Sequence, residues 1–137
     1  MDKMSNDFVK DIETMHSKYK VHDWIDANPD KLQQLMRLRI RMLNEEFSET
    51  LDAYLMQDSE EMIDGLIDII VIAIGTLDIA GVDVNAAWNQ VLTANMAKEV
   101  GVKPGRPNTL GLPDLRKPTG WKPPVHAGNH GKLSSVI

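Results

Sequence analysis

Carboxylates crowd residues 44–68, which read NEEFSETLDAYLMQDSEEMIDGLID. The stretch divides at Gln57-Asp58-Ser59 into two helix-like segments. The first carries Glu45, Glu46 and Glu49, and the second carries Glu60, Glu61, Asp64 and Asp68. Residues three or four apart share a helix face, so Glu46 pairs with Glu49 and Glu61 with Asp64, and Asp68 extends the second stripe by a turn. If the segments fold back as an antiparallel hairpin, both pairs converge. Carboxylates so gathered must protonate or find a cation. With no Cys and no closely spaced His pair, hard divalent chemistry is the natural reading, and Mg²⁺ the expected ion. One E-x-x-E alone is usually a solvated face, and Arg37, Arg39 and Arg41 lie just upstream to neutralise charge. Two pairs on consecutive helices outweigh that alternative.

E-E-x-x-E at Glu45, Glu46 and Glu49, followed by E-x-x-D at Glu61 and Asp64, resembles the signature of the all-α nucleoside triphosphate pyrophosphohydrolases. That superfamily includes MazG-like enzymes, dimeric dUTPases and phosphoribosyl-ATP pyrophosphohydrolases. Asn95-Met96-Ala97-Lys98 and Gly-Trp-Lys-Pro-Pro at 120–124 are similar to small MazG-like proteins, many of them phage-encoded. The resemblance implies Mg²⁺-dependent conversion of a (d)NTP to (d)NMP and pyrophosphate, with Mn²⁺ able to substitute. Glu46, Glu49, Glu61 and Asp64 then serve as metal ligands. Glu45 binds a further ion or acts as general base on the attacking water, and Asp68 supports the ligands or adds an acceptor. The alternative is a helical module, regulatory or interacting, that binds metal without turnover.

These residues need a scaffold, and the chain has material for one. Its 137 residues suit a single domain, and 42% hydrophobic content supplies a small core. A net charge of −5 gives no global field for a nucleic-acid backbone. Cysteine is absent and the N-terminus lacks the apolar core of a signal peptide, so a cytoplasmic protein is expected, in the host cytoplasm if phage-encoded. The apolar run LIDIIVIAIGTLDIAGV at 66–82 is broken by Asp68 and Asp78 and is too short to cross a membrane. It reads as a helix buried on most faces, which a small domain achieves more readily when another subunit covers it. A homodimer or a dimer-of-dimers tetramer follows as an expectation.

The periodicity predicts an all-α bundle of four main helices near 5–20, 30–57, 59–81 and 83–100. Ser5, Asp30 and Ser59 are the expected N-caps and Gly81 a C-cap residue. VHDWIDANPD, residues 21–30, reads as a polar linker. Beyond residue 100 lie six of the seven prolines and six of the nine glycines. That composition disfavours regular structure, yet Leu110, Leu112, Leu115 and Trp121 are too apolar for a solubilising tail. We expect residues 1–100 to form the domain and 101–137 an extended, partly packed arm whose last residues are loose.

A nucleotide held at its phosphates extends its base away from the ions, so an element outside the acidic hairpin must receive it. Ile12, His16 and Trp24 are the candidates for the base pocket, since an aromatic face with polar neighbours suits a nucleobase. Trp24 as a wide platform tips the expectation towards a purine such as dGTP. Asn95 donates and accepts, which suits sugar or base. Lys98, one turn beyond it, is the candidate phosphate contact, and Arg106 in GVKPGRPN a weaker one.

Overall fold

The computed structural model describes residues 7–103, 105, 106, 108 and 110–137. It is 65% helical with six helices and almost no sheet, which makes the protein all-α. The helices are α1 (Phe8–Lys18), α2 (Val21–Ala27), α3 (Leu32–Leu55), α4 (Ser59–Ile79), α5 (Val84–Met96) and α6 (Leu133–Val136), with a 3₁₀ turn at Pro29–Lys31. Strand β1 (Glu99–Val100) pairs antiparallel with β2 (Leu115–Arg116). No helix among the described residues is long and apolar enough to cross a membrane.

Two long helices dominate, and their ends are set by local hydrogen bonding. At the end of α3, Gln57 takes a left-handed φ of 57°, and the Asp58 and Gln57 amides return to the Ala53 and Tyr54 carbonyls. The end of α4 repeats this pattern at Gly81, φ 75°, with Val82 and Gly81 amides on Leu77 and Asp78 carbonyls. Both are Schellman closures. The start of α4 is capped by Asp58, whose side chain accepts from the Glu61 amide at 3.1 Å. The expected cap, Ser59, is instead the first helical residue. Asp30 is likewise no cap, since it lies inside the 3₁₀ turn and α3 starts without a side-chain cap. Asp7 caps α1, accepting from the Lys10 amide at 3.0 Å; Ser5 lies outside the described residues.

Further differences concern shorter elements. The stretch expected as a linker forms α2, entered through Lys20 at φ 58°, and it buries Ile25. The last long helix stops at Met96 rather than near 100, where β1 begins. The chain end is not loose. Its Lys132 amide bonds the Ala80 carbonyl at 2.7 Å, and α6 seats Val136 in the core.

The described residues form two compact units, 7–84 with 129–137, and those within 85–128. In the first, Ile25, Leu32, Met36, Ile79, Ala80 and Val136 form the core. That core sits at the far end of the α3–α4 pair from its turn. Towards the turn, Phe47, Leu51, Tyr54, Ile63, Leu66, Ile67 and Ile70 are exposed. The expectation of a helix buried on most faces therefore holds for the second half of α4 and not for its first half within a single chain. In the second unit, the Trp121 indole donates to the Ala94 carbonyl at 2.7 Å, and the Val125 amide to Gln90 Oε1 at 3.1 Å. These bonds fasten the Pro-rich segment onto α5.

Candidate functional site

The hairpin's register decides which carboxylates meet. A Cβ placed on Gly65 would overlap Thr50 Oγ1, so α3 and α4 approach closely there. Further along, Arg39 Nε donates to Thr76 Oγ1 at 3.1 Å. Both pairs are symmetric about the midpoint between Gln57 and Asp58, so one antiparallel register runs through the whole helix pair. It sets Glu46 opposite Ile69, beside Asp68, and Glu49 opposite Leu66, close to Asp64. Glu61 falls opposite Tyr54, about 10 Å nearer the turn than Asp68 at 1.5 Å per residue. There it occupies the third helical position, with its amide on the Asp58 cap.

The electrostatics follow this register. Desolvation raises the Glu46 pKa, and the charges of Glu49, Asp68, Asp64 and Glu45 raise it further. Three further catalytic candidates (Glu45, Glu49 and Asp64) thus contribute to the field at Glu46, as does Asp68. Among the described residues no Lys, Arg or His stands within ion-pair distance of this group. Arg39, a possible neutraliser, is spent elsewhere: it bonds Thr76 and the Ile72 carbonyl, and burial lowers its pKa. Several carboxylates with no cationic partner and all-oxygen donors fit a hard divalent ion. Their oxygens are less tightly gathered than the ligand atoms of His16, His22 and Asp78, the one such group among the described residues that lies within 4.8 Å.

A cavity of about 870 Å³ opens beside the α1–α2 junction, lined by Tyr19, Lys20, Val21, Asp23, Trp24, Lys31, Gln34, Leu35, Leu38 and Arg41. Its α3 wall continues along the same face: from Lys31, Gln34, Leu38 and Arg41, steps of three or four residues reach Glu45 and then Glu49. Of the three residues expected to receive the base, only Trp24 lines this cavity. Ile12 and His16 are buried in the packing of α1, 6% and 4% exposed. Asn95, Lys98 and Arg106 belong to the second unit. There Asn95 is exposed, the Lys98 ammonium lies 5.7 Å from the Trp121 ring centre, and Arg106 pairs with Asp114 at 2.8 Å.

His16 has a different partner from the one expected. Its Nδ1–H donates to Asp78 Oδ2 at 2.6 Å, and His22 Nε2–H donates to the same oxygen at 2.7 Å. Burial raises the Asp78 pKa, but these two bonds and the imidazole charges outweigh it and hold the carboxyl below its usual value. Sequence reasoning read Asp78 only as an interruption of an apolar run and passed over His22. A charge inside such a run needs a buried partner, and that was the available signal.

Residues 18–95, more than half of the chain, match the family model described as phosphoribosyl-ATP pyrophosphohydrolase. The chain belongs to this family. The match contains both acidic segments, Trp24 and Asn95, and leaves out Ile12, His16, Lys98 and Arg106. No curated protein and no solved structure matches the chain. Membership in the phosphoribosyl-ATP pyrophosphohydrolase family supports a nucleotide pyrophosphohydrolase-type activity, in keeping with the all-α fold.

Proposed function

We propose that the protein is a Mg²⁺-dependent pyrophosphohydrolase that converts a (d)NTP to (d)NMP and pyrophosphate. The observation that carries the reading is the unpaired carboxylate field around Glu46, with Glu45 one turn of α3 beyond Arg41, which lines a cavity of about 870 Å³. Glu46, Glu49, Asp64 and Asp68 would hold Mg²⁺, and the ion supplies charge neutralisation for the triphosphate and its leaving group. Glu45 lies on the cavity side of α3, where it orients a water for attack on the α-phosphorus and takes its proton as the α–β anhydride bond breaks. Glu61, one of the ligands expected from the motif, would in this reading serve as a helix-start residue, since its amide bonds the Asp58 cap. Trp24 and Leu38 flank the base, and Arg41 and Lys31 lend positive charge to the cavity wall. A purine such as dGTP suits this aromatic wall. Asn95, Lys98 and Arg106 enter the reading from the sequence alone.

The exposed apolar face of Phe47, Leu51, Ile63, Leu66, Ile67 and Ile70 supports a homodimer, or a tetramer of two such dimers. A second substrate reading comes from the matched family's description, which favours phosphoribosyl-ATP. A panel of NTPs, dNTPs and phosphoribosyl-ATP with Mg²⁺ or Mn²⁺ tests the proposal. Pyrophosphate and the matching monophosphate in equal amounts are expected. Orthophosphate release, or no release from any of them, contradicts it.

A further inference from the structure

Ten residues beyond Asp68, about 15 Å further along α4, three side chains from three helices meet. His16 comes from α1, His22 from α2 and Asp78 from α4, and their nearest ligand atoms all lie within 4.8 Å of one another. We propose that His16, His22 and Asp78 form a binding site for a divalent transition-metal ion of the zinc class, separate from the carboxylate face.

The donor set sorts the ion. Two imidazole nitrogens with one carboxylate oxygen suit Zn²⁺ or Co²⁺, whereas Mg²⁺ seeks oxygen alone. The burial pattern resembles an open site more than a sealed one. The His16 and Asp78 side chains are 5% and 13% exposed, and that of His22 is 40% exposed. Entry from the His22 side leaves a position for water as the fourth ligand, the arrangement of three-ligand zinc sites.

A plain hydrogen-bonded clasp is the competing description, because both nitrogens already lie at hydrogen-bond distance from one oxygen. Tetrahedral bonds of about 2.0–2.1 Å place ligand atoms roughly 3.3 Å apart. Loading therefore widens each contact by roughly 0.6–0.7 Å and displaces the two bridging N–H protons. The Arg39 guanidinium approaches the same side of α4. A Cβ on Gly75 would overlap it and would stand 3.4 Å from His16 Nε2. Its charge opposes any cation here, so only an ion with strong affinity for imidazole is expected to bind. Because His22 sits two residues before Trp24, such an ion would also pin α2, which forms one wall of the cavity.

The test uses the full chain freed of metal by a chelator and titrated with Zn²⁺ or Co²⁺ in excess Mg²⁺. One equivalent of Zn²⁺ per chain, a rise in Tm of several degrees and a tetrahedral Co²⁺ absorption band are expected. All three should persist in a Glu46→Gln/Glu49→Gln variant. They should vanish in His22→Ala and in His22→Gln, the latter retaining a donor to Asp78 and hence the metal-free Tm. A wild-type chain that takes up no Zn²⁺ overturns the proposal. So does a His22 variant with the wild-type stoichiometry, Tm rise and Co²⁺ band.

Discussion

The two ends of the α3–α4 pair treat charge in opposite ways. Far from the turn, Asp78 is nearly enclosed and shares one oxygen with two histidines, while Arg39 is bonded to Thr76 and Ile72. Nearer the turn, Glu46 stands among Glu49, Asp68, Asp64 and Glu45 with no cation beside it. The first arrangement is electrostatically satisfied by the chain itself; the second is not. A fold that leaves like charges gathered and unpartnered carries a cost that a bound cation and substrate can offset. Paired charge marks where the helices are fastened, and unpaired charge marks where the chemistry belongs.

The largest expected effect comes from emptying the unpaired end. Glu49→Gln, or Asp68→Asn, removes charge without volume and should cut kcat by a factor on the order of 10²–10³, with unchanged helicity by circular dichroism. Glu61→Gln sharpens the comparison, because the register sets that residue outside the field. Its kcat should fall far less than that of Asp68→Asn, and the reverse order would restore Glu61 to the ligand set.

Changes at the paired end should move stability and spare the chemistry. Asp78→Asn leaves the buried His16 donor and the part-exposed His22 donor poorly matched and should cost about 1–3 kcal/mol in denaturant unfolding, with kcat within a few-fold of wild type. The Asp78 carboxyl is held below its ordinary value in the folded state. Its stabilisation is therefore present above the unfolded-state pKa and is lost as pH falls through the folded one. Unfolding free energy should drop with acid in wild type more steeply than in Asp78→Asn. Equal slopes would contradict the pairing.

Smaller effects are expected between the two ends. Trp24→Ala should raise KM about tenfold or blur the nucleotide ranking, with little change in kcat. Unchanged KM and ranking for every nucleotide would remove Trp24 from the pocket. Smallest of all, Glu46→Gln should slightly raise the Tm of the metal-free protein. Desolvation and its neighbours' charges raise its carboxyl above the ordinary value, so its ionised form costs more in the folded than in the unfolded state.

The long helices were legible in the sequence because their apolar periodicity runs for five or more turns, and the break at Gln57-Asp58-Ser59 marked the turn between them. Caps were missed by a single residue at Ser59, since Asp58 and Ser59 are both good cap types and only backbone geometry separates them. Helix α2 was hidden because seven residues hold few periods and Lys20 enters it from a left-handed conformation. The acidic motif was legible as a type of chemistry, whereas its register across the hairpin was not. E-x-x-D directs the eye to Glu61 and Asp64, whereas counting back from the turn sets Asp64 and Asp68 against Glu46 and Glu49. The His16–Asp78 contact joins residues 62 apart, which no local pattern reports.

The most direct test of the unpaired-carboxylate claim is a Mn²⁺ titration followed by electron paramagnetic resonance, on the wild type, Glu46→Gln/Glu49→Gln and Asp78→Asn. Saturable Mn²⁺ binding is expected in wild type and in Asp78→Asn, and is expected to be lost in the double variant. Wild-type Mn²⁺ affinity in the double variant would show that the acidic end of the α3–α4 pair is not the metal centre.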